Sequence, residues 1–153
     1  MKKPNLIKKK DIEKFFINKN LKILVELSKN KQKKTNQLIY DEPYIPKLND
    51  LYNLYQYVLI NKRTTILEFG SGWSTLIFSL ALKELRDKFS KKINLLRRND
   101  PFKLFVVENE KKYLNITKSR IKKFNSFLNI KKPIEIKYTL SDVGGFGGCF
   151  QFD

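Results

Sequence analysis

The sequence predicts an α/β fold built on a parallel sheet, and three observations carry that prediction. Three short apolar runs, TTILEF (64–69), KLFVVE (103–108) and IEIKYTL (134–140), alternate with two long stretches of helical apolar spacing. The intervening stretches are long enough for crossovers, which parallel pairing requires. A glycine pair, Gly70 and Gly72, follows the first run directly and opens the helix after it. Right-handed crossovers would stack the three strands side by side, with TTILEF innermost and most buried. The expected architecture is one half of a doubly wound sheet, with helices on both faces and only the first three strands present.

The elements follow in order. Residues 1–47 read as a Lys-rich helical extension, with Ile12, Phe15, Phe16, Leu21, Leu24 and Val25 at amphipathic spacing. The polar run SKNKQKKTNQ reads as a loop, and the two prolines of DEPYIP punctuate the chain after it. Leu48, Leu51, Tyr52, Leu54, Tyr55, Val58 and Leu59 predict a helix over about 48–61. TTILEF follows, then the glycine turn, then a helix in WSTLIFSLALKELRDKF. A basic, polar connection over 91–101 leads to KLFVVE, and a helix spans about 109–128, closed by Pro133 before IEIKYTL. The last segment, SDVGGFGGCFQFD, with Gly144, Gly145, Gly147 and Gly148, reads as a glycine loop. Three parallel strands leave one edge of TTILEF unpaired. Residues 48–153 are therefore expected to be a partial domain, truncated at its C-terminal side.

Composition narrows the chemistry. A chain of 153 residues supports one core, and 41% apolar content with 12 Phe and 7 Tyr argues for a folded domain. The net charge of +17 comes mostly from lysine. Such a balance suits nucleic acid as a partner, but lysines spread over solvated faces explain it better. There is no histidine and one cysteine, Cys149, which excludes Cys/His metal sites, internal disulfides and Ser–His or Cys–His nucleophile pairs. A cytoplasmic setting fits the single thiol. No segment has the length and apolarity of a membrane span or a signal peptide, so a soluble protein is expected.

The stretch ILEFGSGWST (66–75) holds the candidate site. Glycines between a parallel strand and its helix let a ligand approach the backbone, and the helix N-terminus offers free N–H groups and a positive dipole end. A phosphate-binding loop would need a Gly-Lys-Ser/Thr sequence, which is absent. A dinucleotide fingerprint would need a third glycine where Thr75 stands, and it gives no role to an acid two residues before the first glycine. Each of the first two runs carries an acid at or next to its end, Glu68 and Glu108, and Asp142 follows the third. Adjacent ribose hydroxyls can donate together to one carboxylate at a strand end, and carboxylates suit a ligand bearing sulfonium and ammonium groups.

Glu68-Phe69-Gly70-Ser71-Gly72 resembles the first motif of the Rossmann-like (class I) S-adenosylmethionine-dependent methyltransferases, acid-x-Gly-x-Gly, with Ser74 where a further glycine is common. The resemblance covers roughly residues 48–142. It implies that the loop of Gly70, Ser71 and Gly72 wraps the methionine part of S-adenosylmethionine and that Glu68 helps bind its amino group. It further implies that Glu108 holds the ribose hydroxyls and Asp142 the adenine amino group. The expected activity is methyl transfer to an acceptor that the sequence does not identify, and no catalytic base can be assigned. Two other readings stay open at this stage. One is an NAD- or nucleotide-sugar-linked enzyme, and the other is a non-catalytic basic module that binds nucleic acid. At the level of residues, Glu68 could pair with a lysine, Asp142 could be a turn residue, and Trp73 reads as a packing aromatic.

Overall fold

The computed structural model describes residues 2–30, 43–93, 101–141, 143–146 and 149–152. Two short helices lead the chain, α1 (Lys9–Asn18) and α2 (Lys22–Leu27), followed by α3 (Leu48–Ile60). Then come β1 (Thr65–Phe69), α4 (Trp73–Ile93), β2 (Lys103–Glu108), α5 (Lys111–Phe127) and β3 (Glu135–Leu140). The three strands form one parallel sheet in the order β1-β2-β3, with Leu67 opposite Phe105 and Phe105 opposite Lys137. This is the expected α/β class, a parallel sheet flanked by helices in a Rossmann-like arrangement.

The strands lie side by side as expected, with no further strand on one edge of β1 among the described residues, but the expectation that TTILEF is the most buried strand is corrected. Among the described residues β2 is central and β1 lies at an edge. Of the five residues of β1 only Glu68 is buried, while Leu67 and Phe69 are 57% and 59% exposed. In β2 the alternation is complete, with Leu104, Val106 and Glu108 buried and the residues between them half-buried. Geometry explains the asymmetry. Two crossovers of the same hand, stepping the same way along a sheet, put their helices on one face. The row of Glu68, Val106 and the half-buried Tyr138 faces that helical layer, and the row of Leu67, Phe105 and Lys137 faces away from it. Helices therefore cover one face among the described residues.

The core lies between that face and the helices. Leu104 and Val106 of β2 meet Ile77, Ala81, Leu82 and Leu85 of α4, and α3 adds Leu51, Tyr55 and Val58. The N-terminal helices join the same cluster through Ile12, Phe16, Leu24 and Val25. Phe15 fastens α1 to α3 by edge-on contacts with Tyr52 and Tyr55, 5.1 and 5.2 Å between ring centroids. A polar knot reinforces this seam, because Glu84 of α4 accepts from Lys19 Nζ and from the Tyr55 hydroxyl, both at 2.6 Å. Burial and the Glu84 carboxylate push the Tyr55 hydroxyl well above the usual phenol range. Tyr55→Phe keeps the packing and removes one hydrogen bond to a charged acceptor, so it is expected to cost about 1–2 kcal/mol in chemical unfolding.

The end of the described chain also differs from expectation. The glycine-rich segment, read from sequence as a loop, contains an antiparallel pair, β4 (Val143–Phe146) and β5 (Cys149–Phe152), with Phe146 opposite Cys149. Residues 147 and 148 lie outside the described residues, as do 31–42, which take in most of the N-terminal polar run, and 94–100 of the basic connection.

Candidate functional site

The glycine turn is built from backbone constraint first. Gly70 takes φ +82°, a left-handed value that an L side chain rarely adopts, and its N–H donates to the Val107 carbonyl at 2.8 Å. That bond ties the turn to the end of β2. Gly72 lies outside that left-handed region and has open space where a Cβ would stand. The helix start is closed by Thr75, whose hydroxyl accepts from the Gly72 N–H at 3.0 Å. This is the return half of a capping box, with Gly72 preceding the first helical residue and Thr75 at the third position. Thr75 is fully buried, so the residue that breaks the dinucleotide pattern is the one that caps α4.

Two buried carboxylates flank this turn. Glu108, 6% exposed at the end of β2, accepts from four donors. Its Oε2 takes the Ser71 N–H at 2.8 Å and the Ser71 hydroxyl at 2.7 Å. Its Oε1 takes the Asn109 N–H at 3.0 Å and the Glu110 N–H at 3.2 Å. Glu108 therefore holds the glycine loop to the β2–α5 turn. The Thr117 hydroxyl of α5 reaches the Ser71 hydroxyl at a long 3.4 Å behind them.

Glu68, 7% exposed at the end of β1, is treated differently. Its Oε1 accepts from the Ser74 hydroxyl at 2.5 Å. Its Oε2 is buried and no donor meets it in hydrogen-bond geometry among the described residues, although the Thr75 hydroxyl lies close enough to favour the charged form. Burial raises its pKa to about 7; the Ser74 and Thr75 hydroxyls oppose that rise and the Glu108 charge adds to it. A buried carboxylate oxygen without a donor is costly in isolation and marks a place where a donor or cation is wanted. The reading of Glu68 as the partner of a lysine finds no ion pair among the described residues.

Both acids adjoin a cleft of about 850 Å³. The glycine turn and Glu108 form one wall, residues 43–47 and the first turns of α3 another, and Tyr113, Ile116, Thr117 and Arg120 of α5 a third. The size suits a nucleoside-sized ligand. Of the sequence-predicted residues, Gly70, Ser71, Gly72 and Glu108 line this cleft, and Glu68 sits just behind it, bonded to the cleft residue Ser74. Asp142 lies outside the described residues.

The sequence reading missed Trp73 and Arg120 as cleft residues. The Trp73 indole donates through Nε1 to the Tyr44 carbonyl at 3.1 Å and meets Phe124 edge-on at 6.3 Å. The Arg120 guanidinium lies over the indole, 3.6 Å from the ring centroid. Burial lowers the Arg120 pKa from its usual value. A signal for it was present, since Tyr113, Thr117, Arg120 and Phe124 share one face of α5, and a lone guanidinium on a largely apolar stripe is unusual.

Among the described residues no helix is long and apolar enough to cross a membrane, and no three metal-ligating side chains come together. No protein-family model, curated protein or solved structure matches the chain.

Proposed function

We propose that this chain is the cofactor-binding portion of an S-adenosylmethionine-dependent methyltransferase. The observation that carries the reading is the pair of buried strand-end carboxylates on either side of an open glycine turn, one of them with an unpartnered oxygen. The donor set fits the group. An ammonium donating to Glu68 Oε2 would satisfy the orphaned atom and favour the charged carboxylate. A ribose diol fits Glu108 if it takes over the bond of the Ser71 hydroxyl, which can rotate away, whereas the three backbone donors are fixed by the fold. The bare Gly72 backbone and the N-terminal end of α4 admit the methionine part at close range.

When bound, the cofactor supplies an activated methyl group on sulfur. The chain's own residues bind, orient and exclude water, which is the main requirement of a displacement that uses no protein nucleophile. The absence of histidine is compatible with that chemistry. The methyl acceptor is unassigned, and the single cysteine supports a cytoplasmic setting.

Calorimetry with S-adenosylhomocysteine tests the proposal, with Gly72→Ala as the informative variant. Its added methyl meets no protein atom within 4 Å, so stability should change by less than about 0.5 kcal/mol. The same methyl projects where the ligand must approach, and binding should weaken by about tenfold or more. Tighter binding of NAD than of S-adenosylhomocysteine would overturn the cofactor assignment.

A further inference from the structure

Arg120 is a charged cleft residue that the cofactor reading leaves unused. It is half-buried and lies over Trp73, yet it forms no hydrogen bond or ion pair among the described residues. Asp50, Glu108 and Glu110 line the same cleft, and none of them pairs with it. A guanidinium carries five N–H donors in a fork that matches two oxygens of one anion. Removing that group partly from water without an acceptor is unfavourable, so the arrangement wants an oxyanion at its edge.

One feature around it fixes its position and two reinforce its sign. The indole beneath is locked by its bond to Tyr44 and by Phe124, so it holds the guanidinium in place at little further entropic cost. Trp73 is also the first residue of the 21-residue α4, whose positive end lies at this position. Lys47 lines the cleft from the segment before α3. Arg120 lies one turn beyond Thr117 on α5, and the Thr117 hydroxyl is 3.4 Å from the Ser71 hydroxyl that Glu108 holds, so the anion site adjoins the place where Glu108 would take a ligand.

We propose that Arg120, held on Trp73, is the recognition site for a carboxylate or phosphate group of the methyl acceptor. The acceptor class is then an oxyanion-bearing small molecule, and this assignment rests on the methyltransferase reading. The site itself does not, because its evidence is the unpartnered guanidinium, its aromatic plate and the cleft.

Trp73 is the only tryptophan in the chain, so its emission reports this site alone. Titration with inorganic phosphate, and separately with acetate, at ionic strength held constant by sodium chloride, should give a saturable change in emission at millimolar anion. The stronger of the two probes identifies the group. Arg120→Gln should weaken the response at least tenfold. Arg120→Lys, which keeps the charge but loses the fork, should fall between. Repeating the phosphate titration with saturating S-adenosylhomocysteine separates the two readings. A phosphate response that persists supports a distinct acceptor subsite. A response abolished by S-adenosylhomocysteine assigns Arg120 to the cofactor and overturns the acceptor proposal. Phosphate binding to a chain that binds no S-adenosylhomocysteine leaves the oxyanion site standing and overturns its assignment to a methyl acceptor. No difference between chloride and either probe in the wild-type chain refutes the oxyanion site outright, whatever the variants do.

Discussion

Replacing Glu108 with alanine is expected to lower stability by about 2–4 kcal/mol and to abolish measurable binding of S-adenosylhomocysteine. The first effect follows from geometry alone. Four donors converge on this carboxylate, three of them backbone N–H groups from Ser71, Asn109 and Glu110. A hydrogen bond to a charged group contributes about 1.5–3 kcal/mol, but the bonds at one centre are not additive. Two factors hold the total down. Ser71 and its neighbours border the cleft, so water can reach some of the freed donors, and loss of the Glu108 charge relieves its repulsion of Glu68. Glu108→Gln separates volume from charge. It keeps one acceptor oxygen and introduces an amide where two donors already point, so about half the loss is expected. Denaturant midpoints give the stability term and calorimetry the binding term. An alanine variant as stable as the wild type would show that the glycine loop is held by Gly70 and Thr75 alone.

The same residue shows why the loop and the ligand are coupled. Glu108 is both the anchor of Ser71 and the proposed acceptor for a diol, and one carboxylate cannot serve all these donors at full strength. Ligand binding therefore competes with the Ser71 hydroxyl, while the Ser71 N–H keeps the turn in register.

The parts of this arrangement legible in the sequence are those dictated by local chemistry. KLFVVE became a strand over Lys103–Glu108, and its alternating burial follows from its central place in the sheet. Glu108 ends β2, Glu68 is the penultimate residue of β1, and both are buried beside the glycine turn. What was not legible depends on neighbours. TTILEF is as apolar as a strand buried on both sides, yet periodicity cannot tell which face the helices will cover. Leu67 and Phe69 are exposed for that reason. The β4–β5 pair was missed because glycines contribute no alternation to read. Thr75 looked like a missing glycine until its hydroxyl was seen to take the Gly72 N–H. Arg120 and Trp73 lie 47 positions apart in sequence, and only the packing of α5 beside the start of α4 brings them together.

Glu68 yields the second large effect, and its direction is set by burial. Its carboxyl titrates near 4.5 in an unfolded chain and near 7 in the fold. The folded state thus holds a proton that the unfolded state has released between these values. The stability contribution is fully present below about pH 4.5 and is lost as pH rises through about 7, by about 3 kcal/mol at most. Burial alone would raise the Glu84 and Asp87 carboxyls too. Hydrogen bonds and charges from Lys19 and Tyr55 at Glu84 and from Lys83 and Arg86 at Asp87 outweigh it and hold both below the usual range, so their contributions are lost only at lower pH. Chemical unfolding at pH 5 and pH 8 should show the wild type losing stability, and Glu68→Gln should remove most of that loss. An ammonium-bearing ligand reverses the preference, because it favours the carboxylate and must displace the proton to bind. The affinity of S-adenosylhomocysteine should therefore climb by up to about tenfold per pH unit below 7 and level off above it. In Glu68→Gln the affinity should be weaker and flat across the same range. A wild-type affinity that ignores pH between 5.5 and 8 would mean that no cationic group meets Glu68, and the orphaned oxygen would need another donor.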